Sequence, residues 1–246
     1  MKQSIRILSL LPALVVSLFL TGNAHAKPPG IPLAQVSQLE GEAWWILDES
    51  GKQPLSNGSL LQEGYCIETG EGARLAMVFH DGCVIRLDAH TKAVLTAEKP
   101  EASNPDRSVR VTLEAGDLWG FVMKRTAEND TVTVLTQRTM AAVDECVFRI
   151  QVLANLAVIL KVYRGELLAS GLPSLEEQST SKSESKANAP PLPQTPWRHQ
   201  ILPMRELIVR WDGSATNPFR FAAKADRCKW VLWNQALDAA YLPNPE

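Results

Sequence analysis

Two histidine–aspartate pairs are the residues best suited to chemistry in this sequence. His80 precedes Asp81, and Asp88 lies two positions before His90, so the pairs flank one predicted strand pair. Imidazole and carboxylate groups at this spacing could bind a metal ion or exchange protons in acid–base catalysis. Strand alternation directs His80 away from the side that carries Phe79, which is typical of a solvated histidine. A metal-dependent enzyme that uses His80 and His90 is therefore the third of three functional hypotheses.

Recognised catalytic motifs are missing from the sequence. It has no glycine-rich phosphate loop ahead of a helix, no His-Glu-x-x-His pair and no Gly-x-Ser-x-Gly elbow. We therefore expect a protein that is not an enzyme, with no catalytic residue, no bound metal and no cofactor.

Adjacent tryptophans suggest a binding function. Trp44 and Trp45 lie in one predicted strand, so one ring faces the core and the other faces outward. An exposed ring could stack on a sugar, which makes a glycan- or peptidoglycan-binding module the second hypothesis. The alternative, which we favour, is that Trp44 or Trp45 contacts an aromatic helix near the C terminus.

That helix is predicted over residues 226–241, with Asp226 as its N-cap and Pro243 beyond its end. Its candidate interaction surface is a stripe at i, i+3, i+7 and i+11 made of Trp230, Trp233, Leu237 and Tyr241. We favour docking of this stripe onto the protein's own domain over a face reserved for another protein or a glycan.

An all-β domain is predicted over residues 36–170, because short apolar runs alternate with turn residues about every ten positions. Apolar residues alternate most regularly with other residues around positions 74–88, where Asp81-Gly82 forms a tight turn. Strands are predicted at 38–47, 65–68, 74–80, 84–88, 93–97, 109–114, 117–124, 131–136, 141–143, 147–152, 157–163 and 166–169.

Three glycines recur in a similar context, each three positions after an apolar residue. They are Gly64, Gly116 and Gly165, about 50 residues apart. Because glycine accepts a positive φ, these positions are candidate corners of a rolled or solenoid-like sheet. The alternative is the ordinary repetition of strand and turn in any β domain.

Residues 1–26 have the composition of a secretory signal peptide, with basic Lys2 and Arg6, an apolar run at 7–20 and a small-residue cleavage site at 24–26. The alternative is an uncleaved anchor, but the apolar run is shorter than the roughly 20 residues that a span needs. We expect a bacterial protein in the periplasm or secreted, without a membrane span after cleavage.

Charge disfavours two partner classes. Loss of Lys2 and Arg6 with the signal changes the formal net charge from −2 to −4. Nucleic acids and anionic membranes select basic surfaces, so we expect neither as the main partner.

Four cysteines in an exported chain suggest disulfides. Cys83 and Cys146 are in phase with the apolar residues of their strands and should face the core. Cys66 is out of phase, which leaves it with Cys228. We expect the pairs Cys83–Cys146 and Cys66–Cys228, with buried unpaired thiols as the alternative.

Residues 171–200 are rich in proline and serine and poor in large apolar residues, which predicts a flexible linker. Residues 201–246 recover a pattern of one strand at 206–211 followed by the helix.

The motif order within residues 36–170 resembles the FecR domain. The resemblance rests on Gly58-x-x-Leu61-x-x-Gly64-x-x-Ile67, Asp81-Gly82-x-x-Ile85, Leu113-Glu114-Ala115-Gly116, Phe148-x-Ile150 and Tyr163-Arg164-Gly165. It implies a FecR-like β domain in a protein-binding, signalling-related or envelope-structural module, with another envelope protein as the expected partner. This non-enzymatic module is the leading hypothesis.

Departures from the family limit what the resemblance implies. The regulators that give the family its name carry an anti-sigma segment and a transmembrane helix ahead of this domain, whereas residues 1–26 are predicted here as a signal peptide. Direct control of a sigma factor is therefore not expected. Cys83 and Cys146 also stand where the family has small hydroxyl residues.

Overall fold

The computed structural model describes residues 32–47, 51–97, 109–123, 132–172 and 197–241. Predicted residues 1–26 and most of the predicted linker lie outside these ranges. Within them the elements are β1 Ala34–Glu40, β2 Ala43–Ile46, β3 Gln53–Pro54, β4 Leu60–Leu61, β5 Cys66–Thr69, β6 Arg74–Phe79, β7 Val84–Leu87, β8 Lys92–Ala97, β9 Val109–Val122, β10 Val132–Leu135, β11 Thr139–Val152, β12 Val158–Gly171, β13 Arg198–Ile201, β14 Arg205–Val209, β15 Phe219–Arg220 and α1 Lys229–Ala239. No helix in the described part of the chain is long and apolar enough to span a bilayer.

The predicted all-β fold is confirmed, and its sheet is rolled into two layers. The first layer runs β4-β1-β6-β7-β9-β11-β12-β14-β15, and the second runs β3-β2-β5-β8-β9-β10-β11-β12-β13. Strands β9, β11 and β12 each contain 14 residues and belong to both layers. Apolar side chains from both layers form one buried core between them.

Glycine corners allow the long strands to pass between layers. Gly116 of β9 has φ +96° and Gly165 of β12 has φ +74°. A Cβ atom on Gly165 would lie 1.9 Å from the carbonyl oxygen of Glu145, and one on Gly116 would lie 2.5 Å from the Cα of Thr91. The predicted corner role is therefore confirmed for Gly116 and Gly165, whereas Gly64, which also has a positive φ, lies in the turn between β4 and β5.

Several predicted boundaries are wrong because pairing continues through the corners. The predicted strands 109–114 and 117–124 form the single strand β9, and β11 and β12 likewise join two predicted strands each. The predicted strand 38–47 is divided at Gly41, which has φ +74°. Strand structure also extends into both ends of the predicted linker, at Gly171 and Arg198.

The predicted disulfides are not formed: none of the four cysteines is joined to another. Cys83 and Cys146 do face the core, but β9 lies between them. Cys146 is directly opposite Val122 of β9. Val84, the residue after Cys83, is opposite Phe121, which places Cys83 beside Val122 on the other side of β9. Two strand spacings separate their Cα atoms by about 9.5 Å, which is too far for a disulfide.

Cys66 and Cys228 do not form a disulfide with each other. Cys66 lies half-buried in β5, whereas Cys228 is the exposed N-cap of α1. Burial raises the pKa of the Cys146 thiol and of the Cys66 thiol, which keeps both protonated.

Helix α1 begins three residues later than predicted. Asp226 does not cap the helix, because its carboxylate accepts hydrogen bonds from Arg149, Lys161 and Tyr163 instead. Cys228 takes the N-cap position without a side-chain capping bond.

Candidate functional site

Helix α1 covers the outer face of the first layer, opposite the core. Aromatic and aliphatic side chains from the sheet and the helix form a second buried cluster of Val84, Trp119, Phe121, Val147, Trp230 and Val231. The predicted docking of the helix on its own domain is therefore what the structure shows.

A row of charged and aromatic side chains crosses this face at one level. Arg86 of β7 is directly opposite Trp119 of β9, Trp119 is opposite Arg149 of β11, and Arg149 is opposite Lys161 of β12. Strand alternation directs all four toward the helix side of the sheet. We call Arg86, Trp119, Arg149 and Lys161 the cationic row.

Asp238 binds the first half of the cationic row. Nη1 of Arg86 donates to one carboxylate oxygen at 2.6 Å, and the indole nitrogen of Trp119 donates to the other at 2.9 Å. Arg86 and Asp238 are 1% and 3% exposed. Burial raises the pKa of the Asp238 carboxyl, and the Arg86 and Trp119 donors oppose that rise only in part.

Asp117 of β9 binds the centre of the row. Arg149 donates to it from Nη2 at 2.6 Å and from Nε at 3.0 Å, and the Trp230 indole donates at 3.1 Å. Burial raises the pKa of the Asp117 carboxyl despite these donors. Burial alone would lower the pKa of Arg149, but its hydrogen bonds and ion pair with Asp117 outweigh that effect and raise it.

Asp226 binds the far end of the row. Its carboxylate accepts from Nζ of Lys161 at 2.6 Å, from Nη1 of Arg149 at 3.2 Å and from the Tyr163 hydroxyl. Burial, followed by the hydrogen bond to Asp226, raises the pKa of Tyr163. The C-terminal segment therefore supplies a carboxylate at each end of the row.

Side chains at the edge of the helix also contact the domain. Trp233 stacks on Trp230 at 5.4 Å, donates from its indole nitrogen to Glu40 at 3.0 Å and lies 5.4 Å from the Arg74 guanidinium. Tyr241 is 56% exposed and reaches Phe121 with 5.8 Å between ring centres. Of the predicted aromatic stripe, Trp230 alone belongs to the buried helix face, which also contains Val231, Asn234 and Asp238.

Trp44 and Trp45 are not the contact for this helix, so that preferred interpretation is wrong. Trp45 stacks on Tyr65 at 4.3 Å with parallel rings and packs against the core between the layers. Trp44 lies on the outer side of the second layer, with the Lys52 ammonium 5.4 Å from its ring centre. Both rings are half-buried and belong to the other half of the domain.

His80 and His90 are exposed and lie at opposite ends of the β6–β7 hairpin. Their positions are separated by about five residues of strand, roughly 17 Å. The structure therefore does not bring them together, and no group of three potential metal ligands occurs among the described residues.

Sequence reasoning missed Arg86, Asp117, Trp119 and Arg149. A signal was present, because Arg86 interrupts the apolar run of β7 and Arg149 interrupts that of β11. A buried charge is costly unless it is paired, so a charge inside an apolar strand indicates a face that another element covers.

The arrangement is suited to recognition. Fixed N–H and O–H donors surround each carboxylate, and aromatic rings separate the charges. Such a surface distinguishes an acidic, aromatic helix from other segments by charge and by hydrogen-bond geometry.

Comparison with known proteins finds a family match over part of the chain. Residues 66–168 match the family model described as FecR protein. Two crystal structures of a candidate anti-sigma factor from Parabacteroides distasonis ATCC 8503, at 1.65 Å and 2.50 Å resolution, are similar in part, with 17% identity and TM-scores of 0.45 and 0.46. The similarity covers 69% of this chain and 64% of that one, slightly under two thirds of its length. A comparison with curated proteins found no match. The cationic row lies within the residues that match the FecR family, the family that the sequence motifs predicted.

Proposed function

We propose that this protein is a non-enzymatic, protein-binding module of the bacterial envelope with a signalling-related or structural role. The observation that carries the proposal is the use of the outer FecR sheet face to hold a helix through paired charges and aromatic rings. A surface that binds one helix in this way has the chemistry of a protein-recognition site.

The state of the carboxylates supports a binding role over catalysis. Asp117, Asp226 and Asp238 each accept two or more hydrogen bonds from fixed donors, and each is engaged by an arginine or lysine. A carboxylate held this way is occupied by the protein itself and is not available to take a proton from a substrate.

The composition of residues 1–26 supports an envelope location. Fractionation of cells that express the full chain tests this part of the proposal. The processed protein is expected in the periplasm or the medium, and an unprocessed protein that stays in the cytoplasm would contradict it.

Site-specific photo-crosslinking in living cells tests the binding role. A photoreactive residue at Gln235, on the exposed side of α1, or at exposed Trp211 beyond β14 should capture an envelope protein. The matched control is exposed Gln53 of β3, at the edge of the second layer. Equal capture from all three positions, or no protein captured from any, would contradict a specific protein-binding face.

A further inference from the structure

We propose that the cationic row is a recognition surface for an acidic helix of a partner protein, and that α1 occupies this surface in the free protein as a built-in competitor. This inference rests on the proposed binding function and names the surface and the partner chemistry. The partner is a helix with an aromatic residue followed eight positions later by an aspartate or glutamate, the spacing of Trp230 and Asp238.

Arg86 shows that α1 is an incomplete ligand for this surface. Only Nη1 of its guanidinium donates to the helix, at 2.6 Å to Asp238 and 3.3 Å to Asn234. Nε of Arg86 is buried and has no hydrogen-bond partner among the described residues. A carboxylate bound side-on to the guanidinium, through Nε and Nη2, would satisfy this donor, so the surface can make a bond to an acidic side chain that α1 does not make.

The helix itself has little independent stability. It contains 11 residues, has no side-chain capping bond, and carries no acidic residue in its first turn and no basic residue in its last. A helix this short is marginal in water, so α1 depends on the sheet face for its structure. Another helix with the same charged and aromatic side chains would make the same contacts with the sheet face.

The geometry of the connection permits release. Ala222, Ala223, Lys224 and Ala225, which precede the helix, are exposed. Asp226 binds Lys161 and Tyr163 before the helix begins, so this contact can persist while α1 leaves. Release would uncover Arg86, Trp119 and Asp117, the groups that the partner helix would bind.

Exposed Cys228, at the start of α1, provides a reporter on the full-length protein. A fluorophore is attached there in a Cys66→Ser background, because Cys83 and Cys146 are buried. The probe is a synthetic peptide of residues 224–246, which carries Trp230 and Asp238. The control peptide has the substitution Asp238→Lys.

We expect the probe to bind protein with Asp238→Ala at least tenfold more tightly than wild-type protein, because the substitution weakens the competitor. The control peptide should show no saturable binding to either. Equal affinity of the probe for both proteins, or equal binding of the control peptide, would overturn the proposal.

Hydrogen exchange on the wild-type protein gives a second readout that needs no destabilising substitution. Amides of α1 should exchange at least tenfold faster than those of β9 and β11, because the helix opens separately from the sheet. Exchange of α1 only together with β9 and β11 would overturn the proposal, since the surface would then never become accessible.

Analytical sedimentation tests whether the helix that binds the cationic row comes from a second copy of this protein. The wild-type and Asp238→Ala proteins should both remain monomeric. A concentration-dependent dimer that exchanges α1 would mean that a second copy of this protein binds the surface, which would overturn the assignment to a different protein. Capture of an envelope protein in living cells, together with equal affinity of the probe for the wild-type and Asp238→Ala proteins, would preserve the proposed function while contradicting this surface.

Discussion

Asp238 shows how one carboxylate can determine which segment binds a sheet. Its two oxygens bind Arg86 and Trp119, on neighbouring strands, at 2.6 Å and 2.9 Å. A buried ion pair is weak evidence for stability, because the two charges lose their water on burial. Its stronger effect is on specificity, since a helix without an acidic residue here would leave Arg86 buried without a counter-charge.

Replacement of Asp238 by asparagine should destabilise the protein by about 3 kcal/mol, because the Arg86 charge remains buried without its carboxylate. Urea unfolding measures the change. The matched control is Glu71→Gln at an exposed turn position, which removes the same charge and should cost less than about 0.5 kcal/mol. Equal losses for the two variants would contradict the role of the buried pair.

A double-mutant cycle tests the pairing directly. Arg86→Gln combined with Asp238→Asn should cost less than the sum of the single substitutions, because each single variant leaves one charge unpaired. Additive losses would mean that the two side chains act independently.

At the scale of elements, glycine corners decide the path of the long strands. Gly165 of β12 and Gly82 of the β6–β7 turn have similar backbone angles, φ +74° and +82°. Their surroundings differ, because a Cβ on Gly165 would overlap the Glu145 carbonyl at 1.9 Å, whereas one on Gly82 would have no heavy atom within 4 Å.

The two glycines therefore form a matched pair for substitution by alanine. Gly82→Ala should cost about 1–2 kcal/mol, the backbone strain alone. Gly165→Ala should cost at least about 2 kcal/mol more, because β11 and β12 must separate to admit the methyl group. Thermal unfolding followed by circular dichroism measures both, and similar losses would show that the corner tolerates a side chain.

At the scale of the whole molecule, the buried carboxylates determine how stability changes with pH. Burial raises the pKa of Asp117 and Asp88 above the ordinary value of 3.8. The folded protein therefore binds more protons than the unfolded chain between pH 3.8 and these raised values. These groups make the fold more stable as pH falls from neutrality toward that limit.

We expect the free energy of unfolding in urea to be higher at pH 5 than at pH 7. The substitution Asp117→Asn should lower stability at both pH values but reduce the difference between them, since one of the shifted groups is removed. A wild-type protein that is less stable at pH 5 than at pH 7 would contradict the predicted sign.

The lack of disulfides among the four cysteines gives a further whole-molecule expectation. Thiol titration of the denatured protein should find all four cysteines reduced, and a reducing agent should leave the melting temperature unchanged. A marked fall in melting temperature on reduction would show that a disulfide supports the fold.

Much of the architecture follows from local patterns in the sequence. Alternation predicted the strands, the FecR motifs predicted the domain, and Gly116 and Gly165 were recognised as corners, because each depends on the chemistry of neighbouring residues. The inward phase of Cys83 and Cys146 was also predicted correctly. Their failure to pair was not, because periodicity reports the face of a strand and says nothing about which strand lies between them.

The binding site itself depended on the tertiary structure. The cationic row is made of Arg86, Trp119, Arg149 and Lys161. In sequence, 30 residues or more separate Arg86 from Trp119 and Trp119 from Arg149, so only strand register places the four side by side. Asp226 and Asp238 join them from 65 and 152 residues away in sequence. The sequence by itself determined a β domain with FecR-like motifs and a C-terminal helix. Only the rolled sheet decided which charges meet, because pairing between distant strands has no signature in local sequence.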